Sequence, residues 1–359
     1  MYDLDPEKRT PIFYVIAIFV LSFGSLWLGS YGLNLKFNWN NSNADQNILN
    51  NNATVIDSIA SFKDIISETS NSIHQSVSKP TISSPSTTIL IGGDVMLDRK
   101  IRLLGQEKGY DSLLSSVAPL FKSADISVVN LEGPITSYPS KTLLANGVLT
   151  KDMSFTFAPG STKALSKAGI TAVSLANNHG DNFGEKGVVE TKQWLKQSNL
   201  EWFGSPWNAS STELIIQKNG MSIAFIGYHA FQPGITRILY DIKRLSSEGN
   251  FVIVMPHWGN EYATTSTEAM RDQAKEMIGA GAKAIIGSHP HVIMNNEVIA
   301  GVPVYYSIGN LLFDQYFSTD VTKGEIISLK LVYGPDGPSI DSVGAYNTRL
   351  DKIYGVVLE

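Results

Sequence analysis

The sequence predicts an α/β protein, and three observations predict it. From residue 88 onward, short β-branched apolar runs alternate with longer stretches of helical periodicity. The runs are continuously apolar, as strands covered on both faces are. Nearly every run also ends in Asp, Glu, Asn or His. Strand–helix alternation implies parallel strands with right-handed crossovers, and open α/β sheets bind ligands outside the carboxyl ends of their strands.

The 359 residues, 43% hydrophobic and 17% charged, suffice for one large α/β domain or two modest ones. A net charge of −5 leaves no basic surplus, so nucleic acid is not an expected partner. With no cysteine, disulfides, thiolate metal sites and Cys nucleophiles are excluded together. Any metal must therefore be held by His, Asp, Glu and Asn.

In chain order, residues 1–11 read as a short cytoplasmic tail and 12–34 as a transmembrane anchor. The stretch 10–35 carries no charge, and about 20 apolar residues span a bilayer as a helix. Lys8 and Arg9 precede the run, and Trp27, Tyr31 and Trp39 lie toward its far end, as interfacial aromatics do. A cleaved signal peptide is the alternative; the run is long for one and no A-x-A site is evident. The expectation is a single-pass protein of the cell membrane, N-terminus inside and the bulk of the chain outside. Residues 35–87 read as a tether. NWNNSNADQNILNNN at 38–52 holds eight asparagines and cannot build a core. Val55, Ile59, Phe62, Ile66, Ile73 and Val77 then form a heptad-like stripe, either a helical stalk or a helix lying on the main domain. KPTISSPSTT at 79–88 reads as a flexible joint, and 88–359 as the α/β domain.

Within that domain TTILIGGD ends at Asp94, and ISVVNLE at Asn130 and Glu132. TAVSLANNHGD ends at Asn177, Asn178, His179 and Asp181, SIAFIGYH at His229, and FVIVMPHW at His257. AKAIIGSHPH ends at His289 and His291, and VPVYYSIGN at Asn310. GEKGVVETKQWLKQ at 184–197 reads as a helix, and the alternating segment from Gly324 as antiparallel strands with a hairpin. Residues i and i+2 of a strand share a face, so His289 and His291 are expected to aim at one point. Taken singly, each residue has an ordinary reading: Asp94 as a cap or turn former, the asparagines as loop residues, a strand-end His as a hydrogen-bonded structural group. Together they point to a metal, because five of the six histidines follow strands and carboxylates share their edge. Mixed oxygen and nitrogen ligands suit Zn, Mn or Fe. His229 is left outside the ligand set.

Six blocks in order carry a resemblance: GGDVMLDR (92–99), NLEGPIT (130–136), ANNHGDNFGEKG (176–187), HWGNEY (257–262), GSHPHV (287–292) and YSIGNLLFDQ (306–315). Together they resemble the bacterial CapA family of capsule-synthesis proteins, linked with poly-γ-glutamate, which looks like a branch of the calcineurin-like metallophosphoesterases. The resemblance implies a four-layer α/β/β/α sandwich with metal ligands Asp94, Glu132 (Asn130 the lesser alternative), Asn178, His257, His289 and His291. It gives His179 a catalytic role, with Asp181 as the group that orients its ring. Arg99, Glu261, Tyr262, Asp314 and Gln315 are expected to line the cleft, with Asn130 and Asn310. Two departures leave one or two ions open: phosphoesterases carry Asp-x-His in the first block, where this chain has Met96, and an Asp in the second, where it has Glu132.

The function so implied is making, exporting or anchoring an anionic surface polymer. The partners would be that polymer or its precursors and membrane synthase subunits, with hydrolysis of a phosphoester or a γ-glutamyl amide at the metal. A non-catalytic subunit and a general exported phosphoesterase are the alternatives.

Overall fold

A computed structural model describes residues 85–208 and 213–359. The tail, anchor and stalk expected before residue 85 lie outside the described residues. No helix among the described residues is long and apolar enough to cross a membrane.

Two sheets are stacked. In the first, β1 (Ser86–Val95), β2 (Ile126–Leu131), β3 (Ala172–Ser174) and β4 (Glu201–Phe203) run parallel, in that order. The second is built from β5 (Leu214–Lys218), β6 (Met221–His229), β7 (Phe251–His257), β8 (Ala284–Ile286), β9 (Asn296–Ile299) and β10 (Val302–Tyr305). Its order is β5-β6-β7-β8-β10-β9, parallel from β6 to β10 with antiparallel edges. The first sheet is completed by β11 (Asn310–Leu312), parallel to the end of β1, and by β12 (Lys323–Gly334), β13 (Gly337–Asp351) and β14 (Gly355–Leu358). These last three extend antiparallel beyond β1.

The continuous apolar runs are explained by this stacking. In β1, Ile89 and Ile91 point into the layer between the sheets, where they meet Phe225, Ile253 and Ile286. Leu90 points the other way, beneath the helices. β7 divides in the same manner, with Phe251, Ile253 and Met255 inward and Val252 and Val254 outward. The outer face of the first sheet carries α1 (Arg99–Lys108), α2 (Tyr110–Leu113), α3 (Ala118–Ser123), α4 (Ser161–Lys167) and α5 (Gly184–Gln197). That of the second carries α6 (Ile235–Ser247) and α7 (Glu268–Ala280). The layers are thus helix, sheet, sheet, helix. The helix read from 184–197 is α5, and the C-terminal hairpin is β12–β13. α7 is bounded by its sequence: Thr267 Oγ1 accepts from Met270 N at 3.2 Å, and Gly281 closes the helix in the left-handed region.

Two expectations are corrected. The joint read at 79–88 overlaps β1, which begins at Ser86 because Thr87 and Thr88 pair with Leu331 and Lys330 of β12. The strand expected to run through His289 and His291 stops at Ile286, so both histidines stand on a loop.

Candidate metal centre

The centre lies where the parallel strands of both sheets end. Its first carboxylate is placed by glycine. A Cβ on Gly93 would stand 1.9 Å from Gly309 O, so only glycine lets β1 and the segment before β11 cross this closely. Asp94 N donates to Gly309 O at 3.2 Å, and the register of β1 shifts on either side of Asp94, which turns its side chain into the gap between the sheets. The GGD and SIGN blocks thus meet in space.

Around Asp94 the buried donors are fixed in a chain. Asn177 Nδ2 donates to Asn130 Oδ1 at 3.1 Å, and Asn130 Nδ2 donates to Asp94 Oδ1 at 2.8 Å. Asp94 Oδ2 accepts from His289 N at 3.2 Å and lies 3.2 Å from His291 Nδ1. His291 Nδ1 is also 3.0 Å from Asn310 Oδ1, and Asn310 Nδ2 donates to the carbonyls of His291 and Val321 and to Gln315 Oε1. Asn130 and Asn310 therefore sit buried behind the ligands as supports and do not line the cleft.

On the other side, His257 Nε2 lies 2.8 Å from Asn178 Oδ1 and 3.1 Å from His289 Nδ1, and His257 Nδ1 is 3.0 Å from Ser288 Oγ. Asn178 Oδ1 and His289 Nδ1 each stand about 3 Å from His257 Nε2, a spacing that ligands of one ion share. Glu132 lies between the two halves. Its Oε1 is 3.6 Å from His291 Nε2 and 3.9 Å from His257 Nε2, and neither of its oxygens has a hydrogen-bond donor although both are fully buried. A buried carboxyl without partners is costly. Two groups of potential ligands result, Asp94–Glu132–His291 and Glu132–His257–His289, and Glu132 belongs to both. His289 and His291 therefore do not share one point, as a strand would have made them do. With φ of 96° and 59° on either side of Pro290, they reach two adjacent points. Left-handed backbone at two non-glycine residues is strain of the kind held at functional sites.

The electrostatics fit the same division. Burial, then the charge of Asp94, raises the Glu132 carboxyl well above its ordinary range. Glu132 and Asp94 hold the His291 imidazole up at about 9 against the effect of burial. Burial and then the neighbouring imidazoles lower His289 to about 4 and hold His257 well below its ordinary value. One half thus favours protonated groups, while the other disfavours charge on its imidazoles, as neutral metal ligands require.

His179 sits half-buried beside this centre. Its ring packs on Phe155 with centroids 4.2 Å apart, and its Nδ1 lies 3.1 Å from Asn182 Oδ1, which also accepts from Phe155 N at 2.8 Å. Asn182, not Asp181, orients the imidazole, because Asn182 N bonds back to His179 O across one turn, whereas the Asp181 carboxylate accepts from Trp207 Nε1 at 3.0 Å. Burial lowers the His179 ring, leaving it neutral near pH 7. Met96 is a fully buried core residue whose sulfur accepts from Asp98 N, as its thioether chemistry suggests.

At the mouth, Glu261 and Tyr262 are exposed, and burial of the Tyr262 hydroxyl, with the charge of Glu261, pushes it up to about 12. Gln315 Nε2 donates to the Tyr262 hydroxyl at 3.4 Å. Asp314 is not free in the cleft: its buried carboxylate pairs with Arg99 Nε at 3.2 Å and accepts from Lys100 N. His229 is buried with Nδ1 against Pro206 O at 2.7 Å, and it belongs to neither ligand group. Residues missed at the sequence level are Asn182, Ser288 and Phe231, whose exposed ring packs edge-on against His289 at 4.5 Å. Of these only Asn182 had a readable signal, one turn beyond His179.

Fold and site together define an α/β protein with a shared-carboxylate histidine centre at the strand ends. The family model for the bacterial capsule synthesis protein PGA_cap matches residues 88–315, and the chain belongs to that family. It is 30% identical over 249 residues to the capsule biosynthesis protein CapA of Bacillus anthracis, covering 64% of this chain and 60% of that protein. It is 31% identical over 241 residues to the PGA biosynthesis protein CapA of Bacillus subtilis (strain 168), covering 62% of each. The matched region is thus less than two thirds of either relative's length. Among solved structures, the calcineurin-like phosphoesterase YfkN from Bacillus subtilis aligns with a TM-score of 0.47 at 16% identity, over 74% of this chain and 90% of that one.

Proposed function

We propose that this chain is a membrane-anchored, externally facing member of its family that binds one or two divalent ions and cleaves a bond in an anionic surface polymer of the poly-γ-glutamate type. One observation carries the reading: Glu132 is fully buried, has no hydrogen-bond donor on either oxygen, and is common to both ligand groups. A divalent ion held by either ligand group would be the partner such a carboxylate lacks. Asp94, Glu132 and His291 would hold one ion, and Glu132, Asn178, His257 and His289 the other. Bound there, Zn, Mn or Fe would supply Lewis acidity and an acidified water.

The chain's own residues do the rest. Asn130 and Asn310 fix the carboxylate and imidazole that face the first position. Asn182 accepts from His179 Nδ1–H and so fixes the tautomer, which leaves the Nε2 lone pair to take a proton from the attacking water and then pass it to the leaving atom. A non-catalytic, metal-binding subunit of a polymer synthase is the second reading. Met96 favours it, since its burial in the core leaves the Asp94 side without the imidazole that phosphoesterases carry there.

The deciding experiment is elemental analysis of the full chain purified without chelators, beside a His289→Ala/His291→Ala variant. Stoichiometric metal that is lost in the variant establishes the centre, and the count separates one ion from two. A folded wild-type protein that takes up no added Mn, Zn or Fe rules the hydrolase out. If metal binds and His179→Ala leaves polymer output unchanged, the subunit reading stands.

A further inference from the structure

Beside the centre lies a cavity of about 650 Å³ lined by Lys100, Leu103, Leu149, Asp314, Phe317 and Lys352, among others. Its walls are aliphatic and aromatic, while its charge is positive. The Lys352 ammonium rests over the Tyr316 ring at 5.6 Å, and neither lysine has a carboxylate within ion-pair distance among the described residues. Asp314, inaccessible and paired with Arg99, is a single carboxylate that also feels the charge of Lys100, so Arg99, Lys100 and Lys352 outnumber it three to one. The neighbouring Asp351 is also committed, to Arg349 and to the amides of Ile353 and Tyr354. Two lysines without an ion-pair partner among the described residues, on an otherwise acidic chain, are thus set on an apolar trough.

The trough leads to the metal ligands. The exposed Phe317 ring, part of its wall, meets Tyr262 edge-on at 5.1 Å, and Tyr262 lies 6.3 Å from the His291 ring. Arg99 joins the two from the other side through Asp314.

We propose that this cavity is the docking subsite for a linear chain of carboxylates on an aliphatic amide backbone, such as γ-linked oligoglutamate. Its methylenes lie on Leu103, Leu149 and Phe317, its carboxylates pair with Lys100 and Lys352, and its continuation passes over Tyr262 to the centre. Solvated lone ammonium groups would need no apolar floor, and an uncharged lipid would need no ammonium groups; a polycarboxylate uses both. The choice of polymer rests on the function proposed above, but the binding does not depend on metal.

The test is fluorescence anisotropy with a dye-labelled γ-linked glutamate dodecamer, on the full chain in detergent with a chelator present. Wild type should bind, more weakly as salt rises. Lys100→Glu/Lys352→Glu should weaken binding about tenfold or more, since both attractions turn into repulsions. Lys243→Glu, exposed on α6 of the opposite layer, should match wild type. No binding by wild type, equal loss in the Lys243 variant, or binding of polyglycerol phosphate in place of the glutamate oligomer overturns the proposal. Metal content of the same samples is scored separately. Metal without oligomer binding defeats the subsite alone, and oligomer binding without metal uptake defeats the hydrolase alone.

Discussion

Removing metal should leave a protein whose stability falls as the solution becomes alkaline, and the size of the fall follows from His291. In the fold this imidazole titrates at about 9, against an ordinary 6.5. A raised basic group stabilises fully below its unfolded pKa, and that contribution is lost as pH climbs through the folded value. The window is therefore pH 6.5 to about 9. The gap of about 2.5 units corresponds to about 3–4 kcal/mol at about 1.4 kcal/mol per unit. Glu132, whose folded pKa is also raised, acts in the same direction. The lowered histidines, His289 and His257, lose stability only as pH falls below 6.5, so the chosen window excludes them.

With metal bound, the ligating imidazole is neutral in folded and unfolded chains alike above pH 6.5, so the loaded protein should be level there. The gain from adding metal should grow by about 1.4 kcal/mol per pH unit for each proton expelled. The assay is denaturant unfolding of the full chain at half-unit pH steps, once in chelator and once with excess Mn²⁺. A chelated protein that is level or gains stability from pH 6.5 to 9 refutes the reasoning, as does a His291→Gln variant with an unchanged slope.

Three further outcomes are expected. Met96→Ala, in a fully buried core position, should cost about 2–5 kcal/mol in denaturant melts and leave metal content unchanged; loss of an ion would make Met96 a ligand after all. His179→Ala should keep the metal and lower turnover of any cleaved substrate by about 10²–10⁴-fold, while Asn182→Ala, acting through the ring it holds, should lose less and shift the pH profile. Gly93→Ala should give insoluble or strongly destabilised protein, since its Cβ would meet Gly309 O at 1.9 Å; a soluble variant with unchanged melting would show that β1 and the Gly309 segment are not held in contact.

Much of the centre was legible because each parallel strand carries its own ending. Asp94, Glu132, Asn178 and His257 follow apolar runs that could only be doubly covered strands, and those strands end on one edge. The orienting partner of His179 was misread as Asp181. Both candidates follow the histidine closely, and only the turn joining His179 O to Asn182 N decides which side chain folds back. Asn130 and Asn310 were expected in the cleft and lie behind it, since a strand-end residue points to either side of the ligands depending on register.

The sequence by itself determined the class of fold, the edge on which the chemistry gathers and the types of donor available, because hydrophobic periodicity and the absence of cysteine are local facts. Tertiary structure decided how the donors divide. His289 and His291 fall into two candidate ligand groups and not one because φ is positive on both sides of Pro290, and Glu132 becomes common to both because two separate sheets bring their ends against it. Those are consequences of contacts between residues far apart in the chain, where no local pattern carries the information.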